Sequence, residues 1–249
     1  MKKCSKIIFT TLFWVIIFQT TLVCSDINPH EIVVKADEAR GSFRGVEWRI
    51  KIESIEEGRI QNNTLMITAH NFRCLTEFIA PPKVKGRKLL MIDRNMWFIQ
   101  PGLRKPVPIS PRQKLLGGAS NGDIASTNYS EDYEATFISE EKVNGEVCYL
   151  FDLVATNKKA TYDRIKYWIS KDRLVGLKSE FFTVSGKLFK SAVMEYENSI
   201  NDNGTTYPFI SKMVITDAVV KDNITTMIYS KIKLKKIPDS TFDLNLLVR

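Results

Sequence analysis

Between residues 29 and 40 the apolar positions recur at helical spacing. Ile32, Val33, Ala36 and Ala39 share one face, Glu31, Lys35 and Glu38 lie elsewhere, and Gly41 ends the segment. From there the period changes to two. Val46, Trp48, Ile50 and Ile52 alternate with Glu47, Arg49, Lys51 and Glu53, the pattern of a half-buried strand. Gly58 turns the chain into Leu65, Ile67 and Ala69, then Phe72, Cys74, Thr76 and Phe78, and Pro81-Pro82 stops that run. Strands at Lys88–Asp93 and Met96–Gln100 flank a polar tip, Asp93-Arg94-Asn95, and so predict a hairpin in which Trp97 and Ile99 share a face.

Residues 110–132 break the strand rhythm. Pro111 suits the first position of a helix, which predicts one or two helical turns over Arg112 to Leu116. Alternation resumes at Ala135–Lys142, Val147–Ala155, Tyr162–Ser170, Leu174–Thr183 and Leu188–Glu197, with turns at Asn144-Gly145, Lys171-Asp172 and Ser185-Gly186. Phe209–Val220, Asn223–Leu234 and a last strand, Phe242–Leu247, complete the chain. The pattern is mainly β: one antiparallel sheet or barrel with little helix, and no repeat or linker.

Several strands carry more apolar bulk than one packed face requires. Trp48, Phe78, Trp97, Phe151, Trp168, Phe181 and Phe182 are large, and few helices exist to cover them. Such a face needs a lid, a partner or a ligand. The other reading is that these aromatics fill a closed core.

The start of the chain reads as an export signal. Lys2, Lys3 and Lys6 precede an uncharged run of 17 residues from Ile7 to Val23, and Val23-Cys24-Ser25 offers a cleavage site. The run is short for a membrane span, which leaves an uncleaved anchor open. Cys24 leaves lipidation open, although Val23 stands where a lipobox has a small residue. Residues 1–25 are therefore assigned to a signal peptide and 26–249 to one β domain. Losing the signal lowers the net charge from +8 to +5, too mild for a nucleic-acid stripe. Cys74 and Cys148 remain, either bonded or separately buried.

Motifs for chemistry are weak. Gly118-Ala119-Ser120-Asn121-Gly122 has the spacing of a nucleophile elbow. However, no strand precedes it, and both histidines, His30 and His70, lie upstream. No ligand spacing suggests a metal, and no phosphate-cradling loop suggests a nucleotide cofactor. Asn203-Gly204-Thr205 matches a glycosylation acceptor by length. Lys231, Lys233, Lys235 and Lys236 read either as a strip facing anionic membrane or, preferably, as a charged outer face on an edge strand. Lys83, Lys85, Arg87 and Lys88 carry the same two readings.

Trp97-Phe98-Ile99-Gln100-Pro101-Gly102, then Ile109-Ser110-Pro111-Arg112-Gln113-Lys114-Leu115-Leu116-Gly117 and Ser120-Asn121-Gly122-Asp123-Ile124-Ala125, resemble the outer-membrane lipoprotein-sorting (LolA-like) superfamily. Ala36-Asp37-Glu38-Ala39-Arg40-Gly41, Pro81-Pro82-Lys83-Val84-Lys85-Gly86, Gly145-Glu146-Val147-Cys148-Tyr149-Leu150 and Tyr167-Trp168-Ile169-Ser170-Lys171-Asp172 stand in matching order. The resemblance implies a half-barrel, a single curved antiparallel sheet with a short N-terminal helix and a helical lid. It also implies a periplasmic, monomeric, non-enzymatic carrier of a lipid or lipoprotein acyl chain, serving lipoprotein sorting or an inner-membrane exporter. Leu115, Leu116 and Ile124 would form the lid, with Trp97 and Ile99 on the adjoining strand and Arg112 bonding across the lid's base. Trp48, Ile50, Phe78 and Trp168 would line the hollow. The other reading of the same sheet is a regulatory or scaffold protein that binds a protein partner.

Overall fold

The computed structural model describes residues 28–42, 45–125 and 128–248. The expected export segment, with its cleavage site and Cys24, lies outside them. Helix α1 (Pro29–Glu38) forms where the helical spacing predicts it. Pro29 sits at its start, and the Asn28 side chain accepts the Glu31 N–H at 3.3 Å, satisfying one of the orphan donors.

The sheet begins with β1 (Val46–Glu56), β2 (Arg59–His70), β3 (Arg73–Ala80), β4 (Lys88–Ile92), β5 (Asn95–Ile99) and β6 (Val107–Ile109). A connection follows, built from β7 (Lys114–Leu116), β8 (Ala119–Ser120), α2 (Asn121–Ala125) and α3 (Tyr129–Asp132). The chain then runs through β9 (Tyr133–Val143), β10 (Glu146–Ala155), β11 (Arg164–Ser170), β12 (Gly176–Phe182) and β13 (Leu188–Glu195). A hairpin of β14 (Asn198–Asp202) and β15 (Thr205–Phe209) leads to β16 (Lys212–Asp217) and β17 (Ile224–Leu234). A 3-10 turn, Asp239–Phe242, and α4 (Leu244–Leu247) complete the described chain.

Thirteen strands form one curved antiparallel sheet in the order β6-β5-β4-β3-β2-β1-β17-β16-β13-β12-β11-β10-β9. The outer strands β6 and β9 do not pair with each other, so the sheet stays an open half-barrel. Register slips at Glu47/Arg49, Thr64/Leu65, Leu150/Phe151, Trp168/Ile169 and Phe181/Phe182 add the local bends that such curvature needs. Both edges are protected against further pairing. β6 is three residues long and carries Pro108, and β9 carries Glu134, Glu140, Glu141 and Lys142. The 110–132 connection leaves the β6 edge and enters the β9 edge, so it must cross the open side.

One large core gathers the concave face and that connection. Trp48, Ile50, Leu65, Ile67, Phe151, Ile165, Phe181, Met213 and Met227 meet Leu116, Ala119, Ile124 and Ala125, with Val33 and Ala36 of α1. Cys74 belongs to this core, Cys148 to a separate cluster, and both are free thiols. Burial pushes the Cys74 thiol up to about 12, so it stays protonated at ordinary pH.

Four local expectations need correction. Arg112 to Leu116 is not helical, because Lys114–Leu116 pairs with Ala119–Ser120 as a hairpin and helix begins only at Asn121. Gly117 turns that hairpin at φ +57°, and a Cβ there would lie 2.0 Å from Ser54 Oγ and 2.2 Å from Thr225 Oγ1. Close approach to the sheet therefore overrides the helix signal of Pro111. Phe242–Leu247 is not a strand: the Asp243 carboxylate accepts the Asn245 N–H at 2.8 Å and starts a helical turn. The lysine-rich β17 is not an edge strand but pairs with β1 and β16 near the sheet centre. No strand is expected between Glu197 and Phe209, yet the β14–β15 hairpin stands there, turning at Asn203 (φ 50°) and Gly204 (φ 87°) as a primed two-residue turn.

Candidate functional site

The two ends of the hollow differ. At one end α1 and α3 plug it with polar groups that are almost wholly buried. Asp37 Oδ2 accepts the Ser130 N–H at 2.8 Å, and the Arg40 guanidinium lies 4.6 Å from the centre of the Tyr129 ring. Burial raises the Asp37 carboxyl from its ordinary 3.8 to about 7, against the opposing pull of the Ser130 bonds and of Arg40. Under α2 the interior is closely packed: Trp48, Ile50 and Ile124 are at most 2 % exposed.

At the other end a half-open groove of about 900 Å³ remains under the β7–β8 hairpin. Phe78, Val84, Leu89, Phe98, Ile109, Leu115 and Leu116 supply its apolar lining. Gln61, Asn62, Asn63, Gln113 and Asn121 supply neutral amides, and Lys83, Arg87 and Lys114 supply positive charge. Ligand pockets generally span about 300–1,000 Å³, so the groove has the size of a small-molecule site.

The roof is fastened by hydrogen bonds and one buried ion pair. The Gly118 N–H donates to Thr225 Oγ1 at 2.8 Å. Lys190 of β13 points inward beside Ala192 and Met194, and its Nζ donates to Gly118 O at 2.8 Å and Asp123 Oδ2 at 2.9 Å. The two charged side chains are 5 % and 0 % exposed. Asp123 also accepts from the Tyr162 hydroxyl at 2.7 and 2.8 Å and from the Ser120 N–H at 2.8 Å. A buried carboxylate with this many donors is satisfied, which is what keeps a buried ion pair from being a net cost. Arg112 ties the base of the connection to the segment after β10. Its Nε donates to Ala160 O at 2.9 Å and its Nη1 to Asp163 Oδ1 at 2.8 Å.

The ten expected site residues therefore separate. Phe78, Leu115 and Leu116 line the groove, and Arg112 braces the roof. Trp48, Ile50 and Ile124 are packed core. Trp97 and Ile99 belong to a cluster with Leu75, Leu90 and Phe242, on the other side of the sheet from Leu89, Met96 and Phe98. Trp168 lies in a further cluster with Cys148, Leu150, Val175 and Leu177, while its neighbours Tyr167 and Ile169 face the main core. Parity explains these differences, since adjacent strand residues point to opposite faces. The residues missed were Phe98, Leu89 and Ile109, one step out of phase, and Lys190, whose signal was a lysine in the apolar phase of its strand. Ser120, centre of the elbow-like motif, has its hydroxyl near Tyr162 at 3.4 Å and sits in a roof hairpin. Among the described residues no group of three or more His, Cys, Asp or Glu is placed to hold a metal.

Comparison with known proteins places this architecture. A LolA superfamily protein from Nitrosomonas europaea is 26% identical, with a TM-score of 0.78 over 87% of this chain and 98% of that one. A Vibrio parahaemolyticus domain assigned to outer membrane lipoprotein sorting shares the fold at 19% identity, with a TM-score of 0.76 over 89% of this chain and 98% of that one. A DUF1329 family protein from Desulfovibrio piger does so at 19% identity, with a TM-score of 0.75 over 88% of this chain and 97% of that one. No curated protein sequence matches. A family model described as an uncharacterized protein family matches residues 71–249. With that match over most of its length the chain belongs to this family, and its fold is the one seen in the LolA superfamily protein and the lipoprotein-sorting domain.

Proposed function

We propose that the protein is an exported, periplasmic carrier that shelters an acyl chain in the groove beneath the β7–β8 hairpin and does no chemistry on it. The observation that carries this reading is the half-open groove of about 900 Å³ with Phe78, Leu89, Phe98 and Leu115 on its walls. Each methylene removed from water contributes roughly 0.8 kcal/mol without a directional contact, so the apolar wall of this otherwise polar groove suits a hydrocarbon tail. The likeness to a LolA superfamily protein and to a lipoprotein-sorting domain supports the same reading. Delivery to a membrane exporter or to the outer membrane is the finer part of this proposal.

The test is titration of delipidated protein with a fluorescent fatty acid, together with native mass spectrometry of protein isolated from the periplasm. One bound chain per protein is expected. Leu115 is half-buried on the groove wall, whereas Leu116 is 8 % exposed and shared with the core, so Leu115 is the cleaner probe. Leu115→Asp should weaken uptake about tenfold or more, the loss of roughly two methylenes' worth of burial. Its melting temperature should move by only a few degrees. Absence of any bound chain, or equal loss of folding and uptake, overturns the reading.

A further inference from the structure

The groove's mouth carries an imbalance of charge that an apolar tail does not use. Among the described residues no Asp or Glu lines it, whereas Lys83, Arg87 and Lys114 do. Lys114 is neutralised by Glu56, with Nζ to carboxylate distances of 2.6 and 2.8 Å. Lys88, one residue beyond Arg87, pairs with Glu77 at 2.9 Å. Lys83 and Arg87 make no ion pair among the described residues. A chain with 36 basic and 28 acidic residues must leave some cations unpaired. What distinguishes these two is their position on the lining of the groove, beside its apolar wall.

The backbone fixes that position. The Phe78 backbone bonds both residues at the end of the turn: its N–H donates to Arg87 O, and its carbonyl accepts the Gly86 N–H, each at 2.9 Å. The turn between them is closed by the Val84 N–H to Pro81 O at 3.1 Å and the Arg87 N–H to Val84 O at 3.1 Å. Val84 is buried within it, 9 % exposed, so the turn is anchored to the core while Lys83 projects from it. The Arg87 side chain thus leaves the backbone next to Phe78, and both residues line the groove.

Resting on the carrier reading, we propose that the occupant is a single-chain anionic lipid, a long-chain carboxylate, with its tail on Phe78, Phe98 and Leu115 and its head on Lys83 and Arg87. An arginine fork matches a carboxylate in geometry, and a partly desolvated mouth strengthens such a charge-assisted bond. The neutral amides at the mouth donate further hydrogen bonds without repelling the head.

The experiment compares oleate, uncharged monoolein and cationic oleylamine, each below its aggregation concentration, on delipidated full-length mature protein. Oleate should bind about tenfold or more tightly than monoolein, the usual worth of a hydrogen bond to a charged group, and oleylamine most weakly. The double variant Lys83→Gln/Arg87→Gln should bind oleate no better than monoolein, losing far more oleate than monoolein affinity, with its melting temperature unchanged. Higher salt should erode the oleate preference of the wild type alone. Equal binding of oleate and monoolein by the wild type, or an unchanged oleate preference in the double variant, overturns the anionic head and leaves the carrier intact. Failure of all three lipids to bind overturns both.

Discussion

Asp37 shows how one side chain makes this fold sensitive to pH. Its carboxyl, buried between α1 and α3 against Ser130, Tyr129 and Arg40, is held at about 7 instead of 3.8. Below about pH 4 the carboxyl is protonated in both folded and unfolded chains. Between that pH and 7 the folded state keeps a proton that the unfolded chain has released, so this contribution to stability falls as pH rises and is lost above 7. The interval corresponds to roughly 4 kcal/mol. Asp37→Asn retains an acceptor for the Ser130 N–H and removes the titration. Denaturant unfolding at pH 5 and pH 8 should show the wild type losing more stability than the variant between these values, with the variant the more stable at pH 8. Parallel losses would place the titration elsewhere. Asp37 lies inside the Ala36–Gly41 stretch read as a resemblance, but nothing in the sequence says that it is buried. Its environment comes from α3, some ninety residues away along the chain, and desolvation by so distant a segment leaves no local pattern.

The roof illustrates which elements alternation can and cannot reveal. Strands such as β1, β2 and β11 were legible because polar and apolar positions alternate and only one register buries the apolar set. β4 reads Leu89-Leu90-Met91, apolar on both sides, so periodicity could not say which face of its partner β5 looks into the hollow. Trp97 and Ile99 were assigned to that face, and Met96 and Phe98 occupy it. In the 110–132 connection no period operates, since its hairpin is fixed by tertiary bonds to Thr225 and Lys190 and by the close approach of Gly117 to Ser54. The Lys190–Asp123 pair is the most deeply buried ion pair among the described residues. Lys190→Met leaves Asp123 as a buried carboxylate without its cation, which should cost about 3–5 kcal/mol and loosen the roof. Thermal unfolding should record that loss. Hydrogen exchange at residues 114–125 should rise well before exchange in β1 and β2. Uniform acceleration throughout would mean that the roof is part of the same cooperative unit as the sheet.

A sheet that is apolar on both faces has two surfaces to cover, and this chain covers them differently. The concave face is closed by a connection that each outer strand anchors, with a groove left at one end. The opposite face of β3, β4 and β5 is sealed by the chain's own C-terminal segment. There Phe242, 3 % exposed, packs with Leu75, Leu90 and Ile99, and Ile237, Leu244 and Leu247 close around Trp97. The Arg73 guanidinium stands 5.4 Å from the centre of the Phe242 ring, and its Nη2 is 2.9 Å from Asp239 Oδ1, pinning the same segment from outside. A permanent seal and an exchangeable one should separate on mutation. Phe242→Ala removes a ring from a closed site, so it should destabilise by about 3–5 kcal/mol in denaturant unfolding. Its fatty-acid affinity, measured well below the unfolding transition, should match the wild type, because Leu75, Leu90 and Ile99, which pack with that ring, do not line the groove. Leu115→Asp should do the reverse. A folded Phe242→Ala protein that no longer takes up the fatty acid would mean that strain passes through β4 and β5, and that the back of the sheet sets the width of the groove.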